Sequence, residues 1–253
     1  MGAQKQQGFT IIEVLLFIAI SGGLLAALLV GVNGSIEQQR YRDSVASLAS
    51  YVQSQYDKAL NTSNDRSNLL TCDASGIRSV PGPVVAGTTE CLIIGRLIKS
   101  EPGGGRLRST DIVVFVQNKD TFFSTSGVEN LSSASVMMML SDGDDIAKWD
   151  EYTPEWSATV SPLNEDGSAF GSNNSFQMAI VRSPRDGTIM TFVGGGAAVN
   201  PQDELITTAG LKKSLTLCVK PEGASTPQQR AIFLAPNTIS PAGVATKTGA
   251  AGC

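Results

Sequence analysis

The chain has 253 residues, with 19 Lys and Arg against 23 Asp and Glu and no histidine, so its formal net charge is -4. The length suggests one or two domains. The absence of histidine excludes Ser-His-Asp and Cys-His nucleophile systems and every histidine-ligated metal site. The acidic balance disfavours a dedicated nucleic-acid binder. A mean hydropathy of +0.04 is high for a soluble chain and indicates a strongly apolar segment.

That apolar segment lies close to the N-terminus, where residues 14–36 contain no charged side chain. A helix needs about 20 such residues to cross a bilayer. The run is longer than the apolar core of an ordinary secretory signal, and no small-residue cleavage site follows it. It is preceded by a short polar stretch whose only charge is Lys5, and by Glu13 at its edge. A carboxylate inside a membrane costs about 2.5–3.5 kcal/mol at the midplane and less near the interface, so Glu13 should have a partner.

The residues from Gly8 to Val14 read GFTIIEV and resemble the processing site of type IV pilins and the related pseudopilins. The family pattern is a glycine, cleavage after it, a hydrophobic first mature residue and a glutamate as the fifth. With Phe9 as the first mature residue, Glu13 is the fifth. The alternative interpretation is a single-pass anchor in which Glu13 is merely interfacial.

The resemblance implies a maturation step and a way of assembling. A membrane prepilin peptidase would cut between Gly8 and Phe9 on the cytoplasmic side and N-methylate Phe9. In filaments of such families, the carboxylate at the position of Glu13 meets the new amine of a neighbouring subunit, which pairs two charges that are costly alone. The implied partners are the peptidase, other pilin subunits, the inner-membrane assembly platform and, before assembly, membrane lipid.

The same resemblance implies a single-pass membrane protein that later joins an envelope filament. Its leader, residues 1–8, would be cytoplasmic and its head would lie outside. We expect one helix from Phe9 to Leu60. Residues 9–36 form its transmembrane or filament-core half and residues 37–61 its amphipathic half.

The amphipathic half carries apolar residues at spacings of three and four, which place them on one stripe of a helix. Ser47 and Ser50 fall outside this stripe. A polar run that begins at Asn61 ends the helix. The stripe consists of Tyr41, Val45, Leu48, Ala49, Val52, Tyr56 and Ala59.

Residues 62–253 show the pattern of a β-rich globular head. Strands that follow one another without alternating helices favour an antiparallel sheet, so the fold class is α+β, with the long helix packed on the sheet as in type IV pilins. The clearest hairpin joins two apolar runs within 176–193 through a turn at 183–187. Further strands are expected at 90–98, 111–116, 214–219 and 230–234.

The remaining segments of the head are assigned by composition. A short capped helix is expected within 200–210 and a turn at the glycine run 103–105. Residues 137–139, three methionines, should fill a core or a strand. The Asp-, Ser-, Gly- and Asn-rich stretch 141–175 is expected to form irregular surface loops.

Four cysteines are present, none in a C-x-x-C pair, so a zinc or redox motif is disfavoured. In an exported head they should form disulfides. Three pairings are formally open; sequence order suggests Cys72–Cys91 and Cys218–Cys253, and free thiols are the alternative. The second pair would make a C-terminal disulfide loop, which resembles that of many pilins.

Acidic residues are concentrated at Asp142, Asp144 and Asp145, with Asp150 and Glu151 following. Oxygen ligands on a flexible loop suit Ca²⁺, and some pseudopilins bind it. The spacing does not match an EF-hand loop, and a solvated acidic loop is the favoured interpretation.

A basic cluster in the head consists of Arg96, Lys99, Arg106 and Arg108. It could contact DNA phosphates, since related filaments take up DNA, but a solvated basic face is the favoured interpretation. The glycine run 103–105 lacks the Lys and Ser/Thr of a phosphate-binding loop. Without a catalytic constellation, we expect neither enzymatic activity nor a cofactor.

The expected function is therefore structural: a prepilin that polymerises through its N-terminal helix. The head is larger than the compact heads of abundant major pilins, which favours a minor subunit. A pseudopilin of a type II-like secretion system and a DNA-uptake pilin are alternatives, because these systems share the same N-terminal physics. The remaining alternative is a membrane-anchored extracellular enzyme or binding domain.

Overall fold

The computed structural model describes residues 10–61, 70–73, 76–79, 90–117, 131, 136–140, 149–170, 175–195, 205–223, 230–249 and 253. The chain divides into two units, Met1–Arg40 and Tyr41–Cys253.

A single helix, α1, runs from Ile11 to Leu60. Thr10 precedes it, and its hydroxyl accepts a hydrogen bond from the Glu13 amide at 3.3 Å. The helix ends at the expected polar break, where the Asn61 amide donates to the Asp57 carbonyl at 2.9 Å. The prediction of one long helix is confirmed from Ile11 onward, while Phe9 lies outside the described residues.

The part of α1 that belongs to the second unit is amphipathic, as its spacing predicts. All seven residues of the predicted stripe are buried, and Leu48, Tyr56 and Ala59 have no exposed surface at all. Two polar residues, Ser44 and Gln55, are buried beside them. This face is the side of the helix that packs on the sheets.

A six-stranded antiparallel sheet forms the centre of the second unit. The order is β5-β4-β3-β8-β9, and β6 pairs with the end of β4 that β5 leaves open. Its strands are β3 (Leu92–Ser100), β4 (Leu107–Val116), β5 (Val136–Leu140), β6 (Asp150–Tyr152), β8 (Phe176–Arg182) and β9 (Ile189–Gly195).

Two smaller antiparallel sheets complete the fold. In the four-stranded sheet the order is β12-β11-β10-β7, and a two-stranded ribbon joins β1 to β2. A short helix, α2 (Thr208–Leu211), precedes β10 and is capped by the Thr207 hydroxyl. The strands are β1 (Leu70–Asp73), β2 (Gly76–Ser79), β7 (Thr159–Leu163), β10 (Leu215–Lys220), β11 (Arg230–Leu234) and β12 (Val244–Thr248).

The six-stranded sheet is covered on both faces. Neighbouring residues of a strand point to opposite faces. Ile98 belongs to the cluster that contains six of the seven stripe residues, whereas Leu97 belongs to a second cluster with Leu205 and Ile206. The first cluster also includes Leu217 and Ile232 from the four-stranded sheet. The α1 stripe therefore contributes to one core shared with both larger sheets.

Two predicted turns contain a glycine with a positive φ, a conformation that glycine adopts without strain. The hairpin of β8 and β9 forms as predicted, with Gly187 at φ 75°. The predicted turn at 103–105 joins β3 to β4, with Gly104 at φ 70°. A side chain at Gly104 would collide with the Val160 carbonyl, because the Gly104 carbonyl accepts a hydrogen bond from the Val160 amide at 2.9 Å.

The expectation of irregular loops throughout 141–175 is wrong, because this stretch contains β6 and β7. Strand β6 has only three residues, two of them charged and exposed, so it lacks an alternating apolar pattern. Strand β7 carries Pro162 and is an edge strand of its sheet, where proline is tolerated. Strand β12, also absent from the prediction, buries only Val244.

The short helix expected within 200–210 is α2, which begins at Thr208. Thr207 provides its cap, the Thr207 hydroxyl accepting a hydrogen bond from the Gly210 amide at 3.0 Å. Residues 200–204, the start of the predicted range, lie outside the described residues.

Leu48→Asp should destabilise the head by several kcal/mol, because it buries an unpaired charge in the shared core. Ser50→Asp is the matched control, since Ser50 is exposed two residues away. Ser47, although outside the stripe, is an unsuitable control because its hydroxyl lies 2.9 Å from that of Tyr152. Thermal unfolding of the two variants, in the chain that begins at Ile36, checks the arrangement; equal melting temperatures would contradict it.

Candidate functional site

The N-terminal turn of α1 places Glu13 where a helix favours a negative charge. Thr10 and Glu13 have the spacing of a capping box, and the Thr10 hydroxyl accepts from the Glu13 amide. A carboxylate in the first turn also interacts favourably with the helix dipole. Glu13 itself is exposed. Gly8 and Phe9, the other residues of the predicted processing site, lie outside the described residues.

The first unit exposes a continuous apolar surface along α1. Leu15, Phe17, Leu25 and Leu29 each expose more than half of their surface. Among the described residues, α1 is the one helix long and apolar enough to cross a membrane. A helix that is apolar all round needs an apolar environment, either lipid or other helices.

The glycines of this segment contact no side chain among the residues that the structure describes. A β-carbon added at Gly22, Gly23, Gly31 or Gly34 would meet nothing within 4 Å. Each costs a helix about 1 kcal/mol relative to alanine. Small residues let helices of a membrane bundle approach closely, so these positions suit contact with another helix.

Arg96 of the predicted basic cluster is buried and bound on all sides. Its guanidinium donates to Asp111 at 2.6 Å and to Asp150 at 2.7 Å. It also donates to the Ser109 hydroxyl at 2.9 Å and to the Gln55 side-chain carbonyl of α1 at 3.1 Å. Strand register produces this geometry, because Arg96 lies opposite Asp111 on β4 and Ser109 lies opposite Asp150 on β6.

The carboxylates offset the cost of burying the Arg96 charge. Burial alone would lower the pKa of Arg96, but hydrogen bonds and charge from Asp111 and Asp150 raise it. Burial likewise raises the pKa of Asp150, and the hydrogen bond and charge of Arg96, with help from Lys58, hold that pKa below its ordinary value. Since Gln55 and Lys58 belong to α1, the network ties the helix to the sheet.

The rest of the basic cluster also has acidic or aromatic partners. Arg108 contacts Glu101 at 2.8 Å and Glu151 at 3.5 Å. Arg106 pairs with Glu151 at 3.4 Å, and the Lys99 ammonium lies 5.1 Å from the centre of the Trp149 ring. The geometry therefore favours an internal role for these cations over contact with DNA phosphates.

The acidic group is divided by the same contacts. Asp150 and Glu151 lie in β6 and pair with arginines. Asp142, Asp144 and Asp145, the candidate calcium ligands, lie outside the described residues. Within the described part of the chain, no group of three or more acidic or cysteine side chains could hold a metal ion.

The four cysteines form two disulfides, Cys72–Cys91 and Cys218–Cys253, which are the pairs that sequence order suggests. They close loops with separations of 19 and 35 residues. In the chain-entropy model each stabilises the fold by about 3 to 4 kcal/mol. The first packs in a small cluster with Val113 and Phe115, and the second ties residue 253 to β10.

A cleft runs along α1 where the helix meets the segment after β6. Tyr51 of α1 stacks on Tyr152, with ring centres 4.2 Å apart and planes 11° from parallel. The pKa of Tyr152 lies above its ordinary value, mainly because the side chain is buried. The hydrogen bond with Ser47 acts in the opposite direction, and the charge of Glu155 raises the pKa further. The cleft has a volume of about 630 Å³ and is lined by Asp43, Ala46, Ser47, Ser50, Tyr51, Ser54, Tyr152 and Glu155.

Two polar residues that attach α1 to the head were not predicted from the sequence. Ser44 donates to the Glu155 carbonyl at 3.0 Å, and Gln55 accepts from Arg96. Both lie beside the apolar stripe at helical spacing, and this spacing was the one feature of the sequence that could have predicted their burial.

Comparison with protein-family models, with curated proteins and with solved structures gives no match.

Arg96→Met should destabilise the head by about 3 kcal/mol, because it leaves Asp111 without its cation in a site that is mostly shielded from water. Arg106→Met is the matched control, since its ion pair is half exposed and contributes at most about 1 kcal/mol. Urea unfolding of both variants checks the difference. Equal destabilisation would contradict a special role for Arg96.

The contribution of Arg96 should also depend on pH. The folded pKa of Asp150 lies below its ordinary 3.8, so its stabilising charge is fully present above that value and is lost as pH falls through the folded pKa. The difference in unfolding free energy between the wild type and Arg96→Met should therefore be constant near neutral pH and shrink in acid. A difference that grows in acid would contradict the pairing.

Proposed function

We propose that the chain is a prepilin, a structural subunit of a type IV pilus-like envelope filament that is cleaved after Gly8. The observation that carries this proposal is the coupling of the Gly8–Phe9–Glu13 pattern to an apolar helix that continues without a break into a folded head. Neither part alone is specific, because many anchored proteins have an apolar N-terminal helix. A prepilin needs both parts in one segment, and their combination in this chain supports the proposal.

The chemistry of maturation follows from these positions. Cleavage by a membrane prepilin peptidase leaves Phe9 with a free amine beside the apolar helix, and N-methylation keeps that amine basic. The Glu13 carboxylate of one subunit then pairs with the amine of its neighbour, which offsets the cost of holding both charges in an apolar core. Thr10, by capping the helix, helps to fix the position of Glu13.

The filament is favoured over a simple membrane anchor by two features of α1. The helix cap and the helix dipole favour Glu13 in any helix, but a carboxylate at the edge of an apolar run is costly to an anchor in lipid unless a cation pairs with it. The glycines at 22, 23, 31 and 34 weaken the helix, and in the described part of the chain nothing lies within 4 Å of a β-carbon added there. Both features suit a segment against which another helix packs.

A minor subunit is the favoured role, because the head is large for a major pilin. A pseudopilin of a type II-like secretion system has the same N-terminal requirements and is the alternative. A DNA-uptake pilin is less well supported, because the basic cluster is paired with Asp111, Asp150, Glu101 and Glu151.

The mature protein should begin at Phe9 and carry a methylated amine, and Gly8→Leu should block cleavage by excluding the chain from a narrow active site. Intact-mass measurement of the protein from cells that possess the peptidase checks both. A wild-type chain that retains Met1 in such cells would contradict the proposal.

Glu13→Ala should still be cleaved and inserted, because an apolar residue is less costly in the membrane, but it should enter filaments poorly. Glu13→Gln is the matched control for size and should fail in the same way, since the loss is one of charge. The amount of each variant in purified filaments, measured against wild type in the same cells, checks the prediction. Normal incorporation of both variants would contradict the pairing.

A further inference from the structure

The cleft along α1 is shallow and open to solvent, and two hydrogen bonds fix the residues of its wall. The Ser44 hydroxyl donates a hydrogen bond to the Glu155 carbonyl, and the Ser47 hydroxyl is hydrogen-bonded to that of Tyr152. The next two residues, Trp156 and Ser157, are in the left-handed region at φ 57° and 47°. This turn is pinned where the Glu222 amide donates to the Trp156 carbonyl at 3.2 Å. These contacts join the wall of the cleft both to α1 and to the segment after β10.

The lining of the cleft has the chemistry of a cation site. Among the described residues that line it are two carboxylates, Asp43 and Glu155, and no basic side chain. The helix side is made of small residues, Ala46, Ser50 and Ser54, which leave room for an incoming group. The stacked tyrosines supply aromatic surface, on which the aliphatic stem of a lysine packs and whose rings attract an ammonium group.

The same chain carries exposed lysines that fit this chemistry. Lys212 and Lys213 are adjacent, follow α2 and are both exposed. Neither takes part in an ion pair within the described part of the chain, and Lys213 has only a distant contact, 5.8 Å from the centre of the Phe170 ring. Each copy thus presents an acidic cleft on α1 and a basic pair elsewhere.

We propose that the cleft receives the Lys212–Lys213 pair of a second copy of this chain. The choice of a second copy rests on the proposed function as a filament subunit. Because the two patches differ, the contact is heterologous, and a contact of this kind repeats from copy to copy into a ring or an open filament. The lysine stem lies against Tyr152 and Tyr51, and the ammonium pairs with Asp43 or Glu155.

The test compares self-association of full-length variants in a nonionic detergent at low salt by sedimentation velocity. Asp43→Lys should raise the dissociation constant about tenfold, because a like charge now faces the lysines. Asp57→Lys is the matched control, an exposed carboxylate of the same helix outside the cleft, and should match the wild type. Lys212→Glu should weaken association as Asp43→Lys does, and the two changes combined should restore it.

Three results would overturn the inference. A wild-type chain that stays monomeric at every concentration leaves no contact to explain. Equal weakening by Asp43→Lys and Asp57→Lys shows a general charge effect. Failure of Lys212→Glu to rescue Asp43→Lys means that another cation occupies the cleft.

The mass of the same preparations separates this inference from the proposed function. If the chain is cleaved after Gly8 but Asp43→Lys does not change its association, the proposed function stands and the cleft contact is wrong. If the chain is not cleaved in cells that possess the peptidase, but the two charge changes combined still restore association, the cleft contact stands and the proposed function is wrong.

Discussion

The structure depends on one constraint: a single helix has two halves that need different surroundings. From Ile11 to about Ile36, α1 exposes apolar side chains all round, so its free energy is lowered only by lipid or other helices. From Tyr41 to Ala59, it exposes a polar side and buries an apolar stripe in the core of the head. Most of the stability of a protein helix comes from packing and not from intrinsic propensity, so each half owes its stability to what packs against it.

Arg96 shows how the head secures the second half without using apolar contacts alone. A buried cation is costly unless it is paired and hydrogen-bonded, and Arg96 meets that condition only when β3, β4, β6 and α1 are all in register. The network therefore selects one position of the helix on the sheet, because Gln55 of α1 accepts the Arg96 hydrogen bond only in that position. The stripe supplies most of the apolar burial, and the arginine specifies the alignment.

Much of this could be predicted from sequence, and the failures have physical causes. The α1 stripe, the β8–β9 hairpin and the two disulfide pairs follow from periodicity, turn chemistry and sequence order. Strands β6, β7 and β12 escaped prediction because short or edge strands carry polar residues or proline instead of an alternating pattern. Arg96 was assigned to a solvated face because its carboxylate partners, Asp111 and Asp150, lie 15 and 54 residues away in the sequence. Strand pairing brings these residues together, and composition does not reveal the pairing.

The claim that the second half of α1 is an integral part of the head is tested most directly by amide hydrogen exchange of the full-length protein. If the account is correct, the amides of Leu48, Val52 and Tyr56 should exchange only by global unfolding, at the same rate as those of Leu97 and Ile180 at the centre of the sheet. Exchange of the helix amides much faster than those of the sheet would show that the helix detaches on its own, and would contradict the account.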